Sequence, residues 1–228
     1  MKTKKELIIP ILMGCTAVLI TAAGLYYRQK FLLIIPLYFS LIIGLLQSRV
    51  NRFASLIGSA NSILYGVVYI YYNIYGSALS AFLFSCPIQL LTFIRWNKNK
   101  SGESTKLRRM TVKQRLSVLV GFAAALIAMW FLLPLIGSQY VFLDSATTLL
   151  GILIYFLTMF AFIEYTAFML INGVINIALY IQMLGNSPDI MTHLIFMVYS
   201  FICTVFAFFE ARKLYKSQQE TINNETKV

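Results

Sequence analysis

Apolar residues run through this chain in blocks rather than in alternation. The blocks cover about 7–27, 31–47, 53–72, 77–94, 116–136, 143–162, 165–183 and 191–210, and the charged residues gather between them. Blocks near 20 residues match the roughly 30 Å hydrocarbon core of a bilayer. The pattern predicts eight membrane-spanning helices. The stretch 143–183 is divided at Glu164, because a single helix of that length is about 60 Å long and overshoots one crossing. The first block follows a basic start but is longer than a signal-peptide core, so it reads as a retained helix.

Two blocks carry the same polar interruption. "GSANSILYG" (58–66) and "NGVINIALYI" (172–181) share the spacing G-x-x-N-x-x-L-Y, as Gly58, Asn61, Leu64, Tyr65 and Gly173, Asn176, Leu179, Tyr180. All four positions repeat at an offset of 115 residues. The same offset carries 31–47 onto 146–162, 53–72 onto 168–187 and 77–94 onto 192–209 without a gap. The chain therefore divides into a leading helix (1–30), a three-helix unit (31–95), a basic loop with a linker helix (96–137), a second three-helix unit (138–215) and a polar tail (216–228). A three-helix unit ends on the side opposite its start. The linker helix restores direction, so the two units are expected to be parallel, as in transporters that hold substrate near the midplane between repeats. The expected fold class is an all-α integral membrane protein of about eight spans.

Composition agrees: 59% of the 228 residues are hydrophobic, 12% are charged, and mean hydropathy is +0.76. The net charge of +11 does not point to nucleic acid, because of where the cations lie. Of 19 Lys and Arg, only Arg28 and Lys30 fall on one side of the predicted membrane. The rest sit at Lys2, Lys4 and Lys5, at Arg49 and Arg52, in the loop from Arg95 to Arg115, and in the tail from Arg212 to Lys227. The positive-inside rule then places both termini and the central loop in the cytoplasm of a multi-pass inner or plasma membrane protein. Cys15, Cys86 and Cys203 lie in apolar blocks without redox or metal spacing and read as small buried hydrophobes.

The spans hold no paired carboxylates, no His/Cys/Asp cluster, no Ser/His/Asp set and no phosphate-binding loop. Neither an enzyme nor an ATP-driven pump is expected, and no cofactor or metal. No acid or base lies deep in a span, so a proton relay is not expected. The candidates are polar and aromatic residues inside apolar blocks. Asn61 and Asn176 sit near mid-span, and two readings stand: an interhelical tie, worth about 0.6 kcal/mol on average, or a paired lining of a cavity. Gln89 follows Pro87, which frees a backbone carbonyl and kinks the helix; its amide can read a carboxamide, a ribose or a pyrimidine edge, or tie neighbouring helices. Tyr165, Phe168, Asn172 and Asn176 share one helical face, which predicts a cavity beside them. Tyr165 and Phe168 also suit an interfacial belt. Glu164 reads as a solvated turn carboxylate, Trp96 and Trp130 as interfacial or lipid-facing, and His193 as an interface residue near the outer end of the last span.

"LIGSANSILYGVVYIYYNIYGSALSAFLFSCPIQLLTFIRWNKN" resembles the PnuC family of vitamin-precursor transporters, through Gly58, Asn61, Tyr65, Tyr75, Gly76, Pro87, Gln89, Thr92 and Trp96. "LDSATTLLGILIYFLTMFAFIEYTAFMLINGVINIALY" is similar to that family's D-x-x-T segment, E-W-x-x-W segment and Asn-rich helix. The resemblance covers roughly 31–215. It implies a SWEET-like fold and facilitated uptake of a small-molecule substrate, nicotinamide riboside first, with trapping by a cytosolic kinase. Thiamine, riboflavin or a sugar are the alternatives. It also implies substrate contacts at Asn61, Tyr65, Gln89, Thr92, Tyr165, Phe168, Asn172 and Asn176. Where the family shows two tryptophans after the Glu, this chain has Tyr165 and Phe168; both keep a ring for stacking, with weaker cation–π attraction than Trp. Membrane lipid is an expected partner, a second copy of the chain an additional one.

Overall fold

The computed structural model describes residues 4–225 except 136, 138 and 139; Lys2 and Lys227 of the charge pattern lie outside the described residues, as do the side chains of Lys4 and Lys5. The chain is helical almost throughout: α1 (Lys4–Tyr26), α2 (Phe31–Ser48), α3 (Phe53–Tyr71), α4 (Tyr75–Ser80), α5 (Cys86–Lys98), α6 (Val112–Leu135), α7 (Val141–Met159), α8 (Tyr165–Leu184) and α9 (Met191–Glu225). A π-helical turn, Ala81–Ser85, joins α4 to α5 into one span. Pro87 stands just after that turn and has no N–H to return to the carbonyl of Leu83, so the widened turn forms where the regular ladder is broken. Eight spans among the described residues are long and apolar enough to cross a membrane, and the protein is a multi-pass membrane protein.

The helices of the two expected units close into a ring. α2 packs on α3, α3 on α4 and α5, these on α7, α7 on α8, α8 on α9, and α9 back on α2. α1 lies outside the ring against α9 and α2, and α6 leans on α7, burying only Leu133 along its described length. Outward-facing side chains such as Val18, Leu25, Phe31 and Phe131 are more than two-thirds exposed. Lipid tails solvate them as well as a protein core would.

At the ends away from the basic face, the two places where one unit meets the other are tied in the same way. At the α4–α7 junction, Ser77 Oγ donates to Asp144 Oδ1 at 2.8 Å. At the α2–α9 junction, Thr192 Oγ1 donates to Gln29 Oε1 at 2.8 Å. Ser77 and Thr192 are 115 residues apart, and so are Gln29 and Asp144. The first tie is the stronger one. Asp144, fully buried, also accepts from the backbone N–H groups of Gly76 at 3.1 Å and Ser77 at 3.0 Å, capping the start of α4. Gly76 permits that approach, because a Cβ there would stand 3.0 Å from Asp144 Oδ2 and 3.0 Å from Leu133. Gln29 instead contributes an uncharged amide to a side-chain network. Its Nε2 donates to Tyr72 Oη at 3.0 Å, and that hydroxyl donates to Asp189 Oδ2 at 2.8 Å.

The basic face is more ordered than the sequence pattern suggests. The central loop forms a two-residue antiparallel pairing, Lys100–Ser101 with Ser104–Thr105. It docks on the α2–α3 turn, where Asn51 Nδ2 donates to Glu103 Oε2 at 2.9 Å. The expected polar tail from 216 is helical as far as Glu225, and Gln218 clamps the loop by accepting from Leu107 N and donating to Thr105 O. Two expectations are corrected here. Glu164 is an ion-paired, mostly buried residue: it bonds Arg115 Nη2 at 2.8 Å and accepts from Met110 N at 3.2 Å. Trp96 is 3% exposed and donates from Nε1 to Thr158 O at 2.8 Å. Trp130, half exposed, faces outward as expected.

Asp144→Ala should destabilise the fold by about 2–4 kcal/mol, because it strips the cap from Gly76 and Ser77 and leaves buried donors unmet. Gln29→Ala should cost about 1 kcal/mol, the net worth of an ordinary hydrogen bond. Thermal unfolding of the purified variants in detergent checks the order; equal losses would show that the two junction ties are equivalent.

Candidate functional site

All six spans of the ring, α4 and α5 forming one of them, contribute to a central cavity of about 250 Å³. Six pairs of its lining residues stand at the 115-residue offset: Ser40 with Tyr155, Gly58 with Gly173, Asn61 with Asn176, Ala81 with Phe196, Ser85 with Ser200, and Gln89 with Thr204. The repeated motif thus places its glycine and asparagine on facing walls of one chamber. Apolar clusters flank the cavity. Val68, Tyr72, Tyr180 and Met183 pack at the outer end, and Val50, Trp96, Leu107 and Ala211 at the basic end.

The wall from the first unit is a connected hydroxyl–amide network. Ser62 Oγ donates to Gly58 O at 2.8 Å, so the 2.5 Å contact between Ser62 and Ser85 runs from the Ser85 hydroxyl. With both protons committed, the end of Gln89 that meets them must be the donor, and Nε2 lies 2.9 Å from Ser62 Oγ and 2.7 Å from Ser85 Oγ. The π-turn positions Ser85 for this contact. Gly58 makes room for the amide, since a Cβ there would fall 2.0 Å from Gln89 Oε1. Gly173 plays the matching part for Phe201, at 2.8 Å.

Asn61 combines both readings given to it. Its Nδ2 ties α3 to α2, donating to Pro36 O at 3.0 Å and to Ser40 Oγ at 2.8 Å. The orientation is fixed because a backbone carbonyl only accepts. Its Oδ1 is buried without a hydrogen-bond partner, and so is Asn172 Oδ1. Asn176 turns back on its own helix, Nδ2 donating to Asn172 O at 2.8 Å. An unmet buried acceptor costs about 1–3 kcal/mol. Both acceptors belong to residues that line the chamber.

The predicted residues separate into three places. Asn61, Tyr65, Gln89, Asn172 and Asn176 line the central cavity. Thr92 and Tyr165 line a chamber of about 50 Å³ toward the basic face, which shares Gln89, Tyr155 and Met169 with the first. Phe168 faces away, into a cleft beside α6 and α9. At about 100° per residue, Phe168 points about 90° from the middle of the face set by Met169, Asn172, Gly173 and Asn176. The four-residue stripe thus does not front one cavity.

The aromatic residues that do line it are Tyr65, Tyr69, Tyr155 and Phe196, of which only Tyr65 carried a sequence signal. Tyr155 and Phe196 were findable by applying the offset to Ser40 and Ala81. His193 was read as an interface residue, but it is fully buried. Its ring stacks on Tyr180 at 6.0 Å and meets Tyr65 and Tyr72 edge-on at 6.4 and 5.6 Å. A histidine beside tyrosines at a span's end looks the same in sequence whether it faces lipid or the bundle. Among the described residues, the cavity lining includes no Asp, Glu, Lys, Arg or His.

The family model described as nicotinamide mononucleotide transporter matches residues 30–213. A solved structure, described as the crystal structure of the vitamin B3 transporter PnuC, superposes with a TM-score of 0.81 at 19% sequence identity, covering 95% of this chain and 94% of that one. No curated protein sequence matches the chain.

Gly58→Ala should push Gln89 out of its serine pair and weaken ligand binding at least roughly tenfold, the loss of one or two neutral hydrogen bonds. Gly14→Ala, where a Cβ meets nothing within 4 Å, should be silent. Comparing binding and melting temperature of the two variants checks this; unchanged binding in a folded Gly58→Ala would separate Gln89 from the ligand.

Proposed function

The chain belongs to the nicotinamide mononucleotide transporter family, and from that premise we propose that it admits the phosphate-free precursor, nicotinamide riboside, by facilitated diffusion. One observation carries the choice of the riboside: the cavity is rich in hydroxyls, amides and tyrosines but lined by no cation. A phosphate dianion buried there would lack a countercharge, at a cost of several kcal/mol. The riboside asks for what the lining offers. Its hydroxyls and carboxamide N–H groups are donors for Asn61 Oδ1 and Asn172 Oδ1. Its pyridinium ring suits Tyr65, Tyr69, Tyr155 and Phe196, each cation–π contact being worth about 0.5–2 kcal/mol. These rings take the stacking role expected of Tyr165 and Phe168.

The cavity volume lies below the roughly 300–1,000 Å³ of drug-sized ligand pockets, which favours one ring plus a ribose over a three-ring flavin. The many hydroxyls in the lining, Ser40, Ser62, Ser85, Ser200 and Thr204 among them, favour a sugar as the second reading. With no Asp, Glu, His, Lys or Arg among the described residues of the lining, coupling to protons has no carrier there. Net uptake then follows from phosphorylation of the product in the cytosol, on the basic face of the molecule. Thiol labelling of a cysteine at Ser101 from outside the cell would reverse that orientation.

Titration calorimetry on the purified protein tests the site. Nicotinamide riboside should bind and nicotinamide mononucleotide should not. Gln89→Ala with Asn176→Ala should weaken binding by about tenfold or more, at about 0.5–1.5 kcal/mol per lost bond, in protein that still melts cooperatively. A folded double variant with unchanged affinity would remove both residues from the site.

A further inference from the structure

A second cavity, larger than the first, lies outside the ring. It occupies about 990 Å³ where α6 stands off from α8 and α9 on the basic face. Two kinds of residue line it. Arg109, Arg115, Arg212, Lys213 and Lys216 form the rim, while Val118, Leu119, Phe168, Phe208 and Phe209 form the floor. Among the described residues Glu164 is the only acid in the lining, and it is engaged by Arg115 at 2.8 Å. Four cations therefore face the cleft without an acidic partner in it. Arg212 lies over the Phe208 ring at 3.9 Å and Arg109 over Tyr215 at 5.9 Å, contacts that hold both guanidinium groups at the boundary between floor and rim.

The floor sits on membrane-spanning segments. Leu119 belongs to the span Val112–Leu135, and Phe208 and Phe209 to Pro188–Thr221. Leu119 is 60% and Phe209 65% exposed, so the cleft opens sideways onto lipid rather than into the central cavity. A soluble partner would have to enter the bilayer to reach that floor. An occupant that is anionic at the membrane surface and apolar below it matches both parts.

We propose that this cleft is a binding site for an anionic glycerophospholipid of the leaflet on the basic face. Its phosphate lies against Arg109, Arg212, Lys213 and Lys216, and its acyl chains run along Leu119, Phe208 and Phe209. Basic pockets between membrane helices recognise headgroups in this manner. The bound lipid fills the gap that α6 leaves, and so couples the loosely attached α6 to α8 and α9. The site is independent of the substrate proposed above.

The test uses the full chain in nanodiscs of phosphatidylcholine alone or phosphatidylcholine with phosphatidylglycerol, with lipid retained after detergent extraction counted by native mass spectrometry. Phosphatidylglycerol should be retained in preference to phosphatidylcholine. It should be lost at least about tenfold on combining Arg109→Gln, Arg212→Gln, Lys213→Gln and Lys216→Gln. Neutralising Lys98, Lys100 and Lys106 instead, in the central loop, should leave retention unchanged, which separates the cleft from overall charge. A second variant, Phe209→Ser with the cations intact, should also reduce retention, and it answers for a quadruple variant that fails to fold. Equal retention of the two lipids, release of phosphatidylglycerol by inorganic phosphate, or cross-linking between copies through a cysteine at Leu119 would overturn the proposal, in favour of annular lipid, a soluble anion site or self-association.

Discussion

Lipid offers no hydrogen bonds, so every polar group carried into this bundle must be met inside the protein or left to a ligand. That constraint organises the molecule. The carboxylate of Asp144 is met by Gly76, Ser77 and Thr148, and in being met it caps the start of α4 against α7. Gln29 is met by Thr192 and Tyr72 and ties α2 to α9. The amide N–H groups of Asn61 and Gln89 are met by serines, Ser40 for the first and Ser62 and Ser85 for the second. Among the described residues a few buried polar atoms are left over, and Asn61 Oδ1 and Asn172 Oδ1 among them belong to residues that line the central cavity.

The two units meet these demands unequally. The first spends its polar residues on each other, through Ser62, Ser85 and Gln89. The second puts Ile177, Ser200 and Thr204 at the corresponding positions and folds Asn176 back on its own backbone. One half of the chamber wall is therefore braced, and the other is less committed. The outer ties show the same bias, a carboxylate with backbone donors at one junction and a neutral amide at the other. An internally similar scaffold can hold a substrate between its halves and still have one seam weaker than the other, a useful property for a carrier that must open.

Hydropathy made the spans legible because it measures the thickness of the bilayer. The 115-residue offset made the ring legible, and it named facing residues such as Asn61 and Asn176 before any contact was known. Azimuth was less readable. In a soluble helix the polar face marks the outside, but here the lipid-facing side is as apolar as the packed side. Phe168 and Tyr165 therefore looked like parts of one stripe with Asn172 and Asn176. Trp96 and His193 looked like belt residues although both are buried. Glu164 was misread for a related reason: its partner Arg115 lies 49 residues away, and only the folding of the central loop against the α7–α8 turn brings them together.

The central claim is that a cavity without cations passes a phosphate-free vitamin precursor down its gradient. Flux into proteoliposomes containing only the purified protein, without ATP or an ion gradient, tests it most directly. The account predicts that labelled nicotinamide riboside equilibrates to the outside concentration while nicotinamide mononucleotide stays out. Accumulation above the outside concentration that depends on a proton or sodium gradient, or saturable entry of the mononucleotide, would contradict it.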